Sequence, residues 1–253
     1  FMCDTRDDPA RERRYVETLL ARRVDGLIVA GRRIEPRPSI GPGLGIPVVY
    51  AMTQSLDSDD PSVIPDDDGG GRLAAEHLLA AGRRHLGHIA GPERFLAARK
   101  RARGFCDVIS ASGAVRGGAP EEVLYGEWSE AWGRQAAGIL LRDMPGVDGI
   151  FCGSDQIARG VCDTLRLMGR RVPGDIAVLG FDNWEPMAAG CAPPLTSIDM
   201  CLEDVGREAA QHLLAAINGE PSHGLHTIPC RLVVRDSTGG ADSVMPAAGR
   251  SPA

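Results

Sequence analysis

The stretch from Gly149 to Asn183, GIFCGSDQIARGVCDTLRLMGRRVPGDIAVLGFDN, constrains the fold more than any other part of the chain. Ile150-Phe151-Cys152 is a short apolar run ended by Gly153 and Ser154, and a helical pattern then sets Ile157, Val161, Leu165 and Met168 on one face. Gly169 closes that helix. After the turn Arg171-Val172-Pro173-Gly174, the run Ile176 to Leu179 has no polar alternation, which predicts a strand buried on both faces of a parallel sheet. In open α/β sheets of this kind, ligands bind at the carboxyl ends of the strands. Ser154, Asp155 and Asp182 stand at those ends. Ser154 or Asp155 can equally do no more than cap the helix, and Asp182 can simply make a turn. For Asp182 a ligand contact is the expectation.

The length, 253 residues, suits one large domain or two ordinary lobes, and 43% hydrophobic with 25% charged residues is usual for a globular chain. A formal charge of -6 without a basic stripe argues against this chain alone wrapping a nucleic-acid backbone. Seven cysteines, widely spaced and partly inside apolar runs, read as reduced thiols of a cytoplasmic protein rather than a disulfide framework. His85 and His88 have no partners at metal-ligand spacing, so they are assigned to a strand and no metal is expected. No cofactor motif is complete: the run Gly69-Gly70-Gly71 lacks the Gly-Lys-Ser/Thr ending of a phosphate loop. No apolar stretch is long enough to span a bilayer, and no membrane partner is expected.

In chain order, Phe1-Met2-Cys3 reads as a strand end, Asp8 to Arg23 as a helix, Val24 to Ala30 as a buried strand, residues 31–45 as a loop and Ile46 to Tyr50 as a strand. The acids Asp57 to Asp68 precede a helix expected from Arg72 to Ala81, whose positive end they favour. Arg101 shares a helix face with Phe105, Val108 and Ile109, so it either pairs with a structural carboxylate or reaches a ligand. Trp132 is expected in the core, whereas Trp128 either staples the start of its helix or stacks on a ligand ring. Trp184 to Ala192 reads as a loop, Leu202 to Ile217 as a helix and Leu225 to Arg235 as a strand pair.

Several segments, weak singly but ordered and spaced alike, resemble the effector-binding core of the lactose-repressor/galactose-repressor (LacI/GalR) family of bacterial transcription regulators. They include Arg23 to Ile28, Ile46-Pro47-Val48-Val49, Gly71 to Leu78, Arg101 to Phe105, Ser154-Asp155-Gln156, Val172 to Ile176, Gly180-Phe181-Asp182-Asn183 and Pro193 to Ile198. The resemblance covers roughly residues 1 to 237. It implies two Rossmann-like lobes with parallel sheets, of the periplasmic-binding-protein-like type I, with the ligand in a cleft between them. The expected first lobe is 1–90 plus 199–218, without the family's first strand and helix; the second is 91–198 plus 219–236, and 237–253 is expected to be a disordered tail.

By this resemblance Arg101 holds ligand hydroxyls or carboxylate, Asp182 accepts from hydroxyls, Trp128 stacks on the ligand, and Asp66 is a cleft aspartate of the first lobe. Ser154 stands where many relatives carry Asn, and Met200 where a Gln is common; with Asp155 these complete the expected ligand set. The two departures permit a more apolar or differently sized effector. Relatives begin with a helix-turn-helix domain, a hinge, a first strand and a helix, none of which lies before Phe1. In the family's strand order that strand is central, so a gap in the first sheet is expected.

The function so implied is effector sensing, with a sugar, polyol or nucleoside-like ligand modulating operator DNA binding by a separate domain, in a homodimer. The alternative is a periplasmic sugar-binding protein of a transporter, disfavoured by the unpaired cysteines and the Val-Pro-Gly-Asp-Ile segment. An enzyme is not expected, because no nucleophile elbow or complete phosphate loop is present.

Overall fold

The computed structural model describes residues 1–113 and 123–239. The chain divides into two compact units, Phe1–Ile64 with Glu203–Ile228 and Pro65–Leu202 with Pro229–Ala253.

In the first unit, α1 (Pro9–Ala21) is capped by Asp8, whose carboxylate accepts from Ala10 N and Arg11 N. It leads to β1 (Leu27–Ala30), β2 (Pro36–Arg37), β3 (Val48–Ala51), β4 (Gln54–Ser55) and β5 (Ser62–Pro65), the last residue of which is the first of the second unit. The main sheet has the order β1-β3-β5-β11, where β11 is Leu225–Ile228, and β2 pairs with β4 in a small two-stranded sheet. Strand period two sorts the core: Leu27, Val48 and Tyr50 meet Val16 and Leu19 of α1, while Val49, Ala51 and Val63 meet Val205, Ala209 and Leu213 of α7 (Leu202–Ile217).

The second unit continues with α2 (Asp67–Ala80), β6 (Leu86–Ala90), α3 (Leu96–Ser112), β7 (Val123–Tyr125), α4 (Glu130–Asp143), β8 (Gly149–Cys152), α5 (Asp155–Leu167), β9 (Ala177–Phe181), α6 (Glu185–Ala188), β10 (Thr196–Asp199) and β12 (Arg231–Val233). Its six strands run in the order β12-β10-β9-β8-β6-β7, parallel except for β12. Ile150 and Val178 pack on one face with α4 and α5, and Phe151, Leu179 and Phe181 on the other with α2 and α3. Every residue of β8 and β9 is buried, as their uninterrupted apolar runs require. Each helix pair crosses through glycine. A Cβ on Gly104 would lie 1.9 Å from Asp68 O, and one on Gly133 would lie 2.1 Å from Ile157 O.

Several expectations are corrected. The boundary lies earlier than 90 because β6 hydrogen-bonds to β7 and β8, which puts 65–90 in the second unit. Residues 219–228 move to the first, because β11 joins its sheet; β11 and β12 are therefore not a strand pair. Phe1 to Cys3 form no strand. No gap lies inside the first sheet among the described residues: β1 pairs directly with β3, and as the outermost strand it leaves Ile28 43% exposed instead of buried. The expected loop 31–45 contains β2, and the loop 184–192 contains α6. Helix α2 starts at Asp67, five residues before Arg72, and takes in the glycine run because Gly70 and Gly71 lie where Phe181 and Arg101 O leave no room for a Cβ. Met168 follows the last turn of α5 and is exposed, and Leu202 and Ile217 at the ends of α7 are too. Residues 237 and 238 are not tail: both are buried in a 3-10 turn, where Ser237 Oγ donates to Val178 O at 2.6 Å. The rest of the expected tail, 240–253, lies outside the described residues.

Candidate functional site

Because β8 and β9 are parallel neighbours, the segments leaving them share one sheet edge. Ser154 caps α5 by accepting from Ile157 N at 3.3 Å. Asp155 does more than begin that helix. Its Oδ1 accepts from Ser197 Oγ at 2.7 Å and its Oδ2 from Trp184 N at 2.8 Å, so one buried carboxylate ties β10 to the turn after β9. That turn places Asp182 and Asn183 at φ of 102° and 48°, an uncommon conformation for residues with a Cβ. Four bonds hold it there: Asp182 N to Ile198 O, Asn183 N to Ser197 Oγ, Asn183 Nδ2 to Asp199 Oδ2, and Arg235 Nη2 to Asn183 Oδ1.

Arg101 enters the same edge from α3 and is almost wholly buried. Its Nε donates to Asp67 Oδ1 at 2.6 Å, and its Nη1 to Gly153 O at 2.7 Å and Asp182 Oδ1 at 3.4 Å. Among the described residues its Nη2 meets a weak acceptor, Met200 Sδ, at 3.4 Å. The guanidinium lies over the Phe181 ring, 3.6 Å from its centre, with the Trp128 ring at 5.6 Å. Trp128 rests on the backbone of Gly91 and Gly153, where a Cβ on Gly91 would strike its ring at 2.3 Å. Beside it Trp132 is partly buried, packed on the core with its indole N–H donating to Ala90 O at 2.9 Å.

The structure thus brings together Arg101, Asp182, Met200 and Trp128. Ser154 and Asp155 are next to them, with helix-capping and bracing bonds of their own. Asp66 lies in the second unit rather than the first; its side chain caps α2 through Gly69 N, and its carbonyl accepts from the Cys230 thiol. Asp67, missed in the sequence, is the residue that answers the question posed by Arg101. Its only local sign was an acidic cluster before a helix, and that pointed equally to each of its neighbours.

Burial is the main influence on the carboxyls here. It raises Asp182 to about 7, against the pull of Arg101, and Asp155 to about 6, against Ser197 and Trp184 N. Burial also raises Asp67, which Arg101 opposes, while Asp67 and Asp182 outweigh burial at Arg101 and keep its cation. Raised carboxyls mean that the folded protein holds protons the unfolded chain releases. Their stabilisation is complete below about pH 4 and is lost as pH climbs through the folded values. Asp182→Asn is expected to flatten the decline in stability between about pH 4 and 7, measured as urea midpoints across that range. An unchanged slope would assign the decline to other groups.

Among the described residues no group of three or more His, Cys, Asp or Glu is placed to hold a metal ion. His88 is a core residue, its Nδ1 at 2.9 Å from Phe151 O and its pKa lowered to about 4 by burial. None of the seven cysteines, all of which lie among the described residues, is joined in a disulfide. No helix among the described residues is long and apolar enough to cross a membrane.

The profile of the periplasmic binding protein-like domain matches residues 75–238. The ribose operon repressor of Halalkalibacterium halodurans is 30% identical over 243 residues, covering 96% of this chain and 71% of that protein. A solved transcriptional regulator CelR–cellobiose complex superposes with a TM-score of 0.71 at 30% identity, covering 91% of this chain and 71% of its own. The lac repressor dimer bound to operator and the anti-inducer ONPF superposes with a TM-score of 0.73 at 26% identity, covering 90% and 68%.

Proposed function

We propose that this chain, which belongs to the lactose-repressor/galactose-repressor family of transcription regulators, senses a small sugar-like effector at the Arg101–Asp182 edge and so modulates operator binding by a separate DNA-binding domain. The observation that carries this reading is the unequal use of Arg101. Nε and Nη1 are committed to Asp67 and Gly153, which fixes the guanidinium, while Nη2 faces a thioether. A hydroxyl or carboxylate there gains a charge-assisted bond from a donor already oriented. Asp182 supplies the complementary acceptor, its carboxyl 31% exposed beside the same guanidinium. Trp128 offers a ring face for the apolar side of a sugar or base. Ser154, Asp155, Asp66 and Met200 complete the proposed ligand set, Asp66 through the start of α2 rather than from the other unit.

The relatives support a regulator over a transporter's binding protein, since one is a repressor and two are solved as regulators, one with cellobiose and one on operator. Binding without turnover, a cytoplasmic location and a homodimer belong to the same reading. Coupling arises if effector binds the two conformations of the regulator unequally.

A thermal-shift screen over sugars, polyols, nucleosides and purines is the test. A true effector at a hundredfold excess over its Kd stabilises by about 2.7 kcal/mol, a shift of several degrees. Asp182→Asn keeps the shape but loses an acceptor, and is expected to weaken that shift. A full shift in the variant would place the ligand elsewhere.

A further inference from the structure

Within the first unit, α7, the connector after it and the edge strand β11 bring three histidines together. The His212 ring on α7 and the His226 ring on β11 lie with their centroids 4.2 Å apart and their planes 41° from parallel. Ser222 Oγ is 2.6 Å from His212 Nδ1, a hydrogen bond that draws the connector onto the helix. His226 Nε2 donates to His223 O at 3.1 Å, and His223 Nδ1 to Asp59 O at 2.9 Å. Both acceptors are carbonyls, which fixes a proton on each of these two nitrogens. Residues 222–226 are thus fastened to α7 on one side and to the segment before β5 on the other. Arg101, Trp128, Asp182 and Met200 all belong to the second unit, so the cluster stands apart from the effector edge.

We propose that the paired rings of His212 and His226 form an acid-sensitive clasp, closed while both imidazoles are uncharged and opened, with β11 leaving α7, when both take up a proton. One proton is tolerated. His212 Nε2 is buried without a hydrogen bond, yet Glu208 Oε1 lies 3.4 Å away one turn earlier on α7, so an imidazolium there has a counter-charge in reach. The second proton meets no such partner. Among the described residues His226 makes no ion pair, and its Nε2 is already spent on a carbonyl. The segment before β5 offers the cluster the carbonyl of Asp59, while the Asp60 carboxylate accepts from Ser55 Oγ. Two imidazolium rings this close repel, and one carboxylate offsets one of them.

The electrostatics run the same way as the geometry. Burial and His226 hold His212 below the usual histidine range, against the pull of Glu208. A closed form that keeps an imidazole neutral binds fewer protons than the open one. Its hold is therefore full above the ordinary histidine value of about 6.5 and is lost as pH falls through it. The opening is local, because β11 is the outermost strand of its sheet and the segments around it turn at Gly219 and Gly224, with φ of 88° and 76°.

The test is hydrogen exchange of the full chain, read by mass spectrometry at about pH 7.5 and about pH 5.5 with intrinsic rates divided out. The native protein is compared with His226→Gln, whose amide keeps a donor for His223 O but takes up no proton. Near pH 7.5 the two are expected to protect residues 213–228 alike. Near pH 5.5 the native protein is expected to lose protection there by up to about tenfold for each imidazole that the closed form keeps neutral, and His226→Gln to lose less. NMR of the native imidazole protons gives a second reading, in which His212 and His226 are expected to titrate in two separated steps. Equal losses in the two proteins near pH 5.5 overturn the proposal, as does independent titration of both rings at the ordinary histidine value. A loss spread evenly over α1, β1 and β3 overturns it too, since acid would then be unfolding the whole unit.

Discussion

Arg101→Ala is expected to cost about 3–5 kcal/mol of folding stability, seen as a lowered urea midpoint at neutral pH. The reason lies in Asp67, whose side chain is 1% exposed and whose Oδ1 takes the Arg101 Nε–H at 2.6 Å. Without the guanidinium a buried carboxylate has lost its counter-charge, and Gly153 O its donor. The deficit should shrink on acidification. Burial already raises Asp67, and without Arg101 it rises further, so the folded variant takes up a proton as pH falls and regains stability. Asp67→Asn added to Arg101→Ala is expected to recover much of the loss at neutral pH by removing the stranded charge. A pH-independent deficit, or no rescue by the second substitution, would show that Asp67 is not the source. Loss of ligand binding in Arg101→Ala alone therefore mixes lost contact with lost folding, and Asp182→Asn is the cleaner probe of the site.

Gly104→Ala is expected to destabilise by about 1–3 kcal/mol, although alanine is intrinsically the better helix former by up to about 1 kcal/mol. The added Cβ would sit 1.9 Å from Asp68 O, a backbone atom that cannot swing aside, so α2 and α3 must part. Gly71→Ala meets Arg101 O at 2.1 Å and should behave alike. Parting these helices also separates Asp67 on α2 from Arg101 on α3, so the variant should bind effector less tightly. Gly138→Ala on α4 is the control: among the described residues nothing lies within 4 Å of its Cβ, and it should gain up to about 1 kcal/mol. Urea midpoints of the three variants decide the matter. A stabilised Gly104→Ala would mean that the helix crossing has slack.

What could be read from the sequence was what is local in it. Apolar runs without alternation marked β8 and β9 as buried strands, helical periodicity aligned Ile157, Val161 and Leu165, and a serine after an apolar run marked the start of α5. Strand ends follow from strands, so Asp182, Ser154 and Asp155 fell on one edge before any contact was known. The face of α3 that carries Phe105 and Ile109 also carries Arg101, and that single anomaly pointed to the site.

What needed the tertiary structure was partnership across distance. Asp67 and Arg101 are 34 residues apart, and nothing in either neighbourhood chooses Asp67 over Asp66 or Asp68. Glycine's low helix propensity puts the run before Arg72 outside the helix; it is helical, and at Gly70 and Gly71 only a residue without Cβ lets α2 approach Phe181 and Arg101 O. The unit boundary fell outside sequence reasoning for the same cause: β6 and β11 have ordinary strand patterns, and only hydrogen bonds to β8 and to the first sheet decide where each belongs. Periodicity reports which face of an element is buried; it carries no information about which other element buries it, and that choice placed Asp67 beside Arg101.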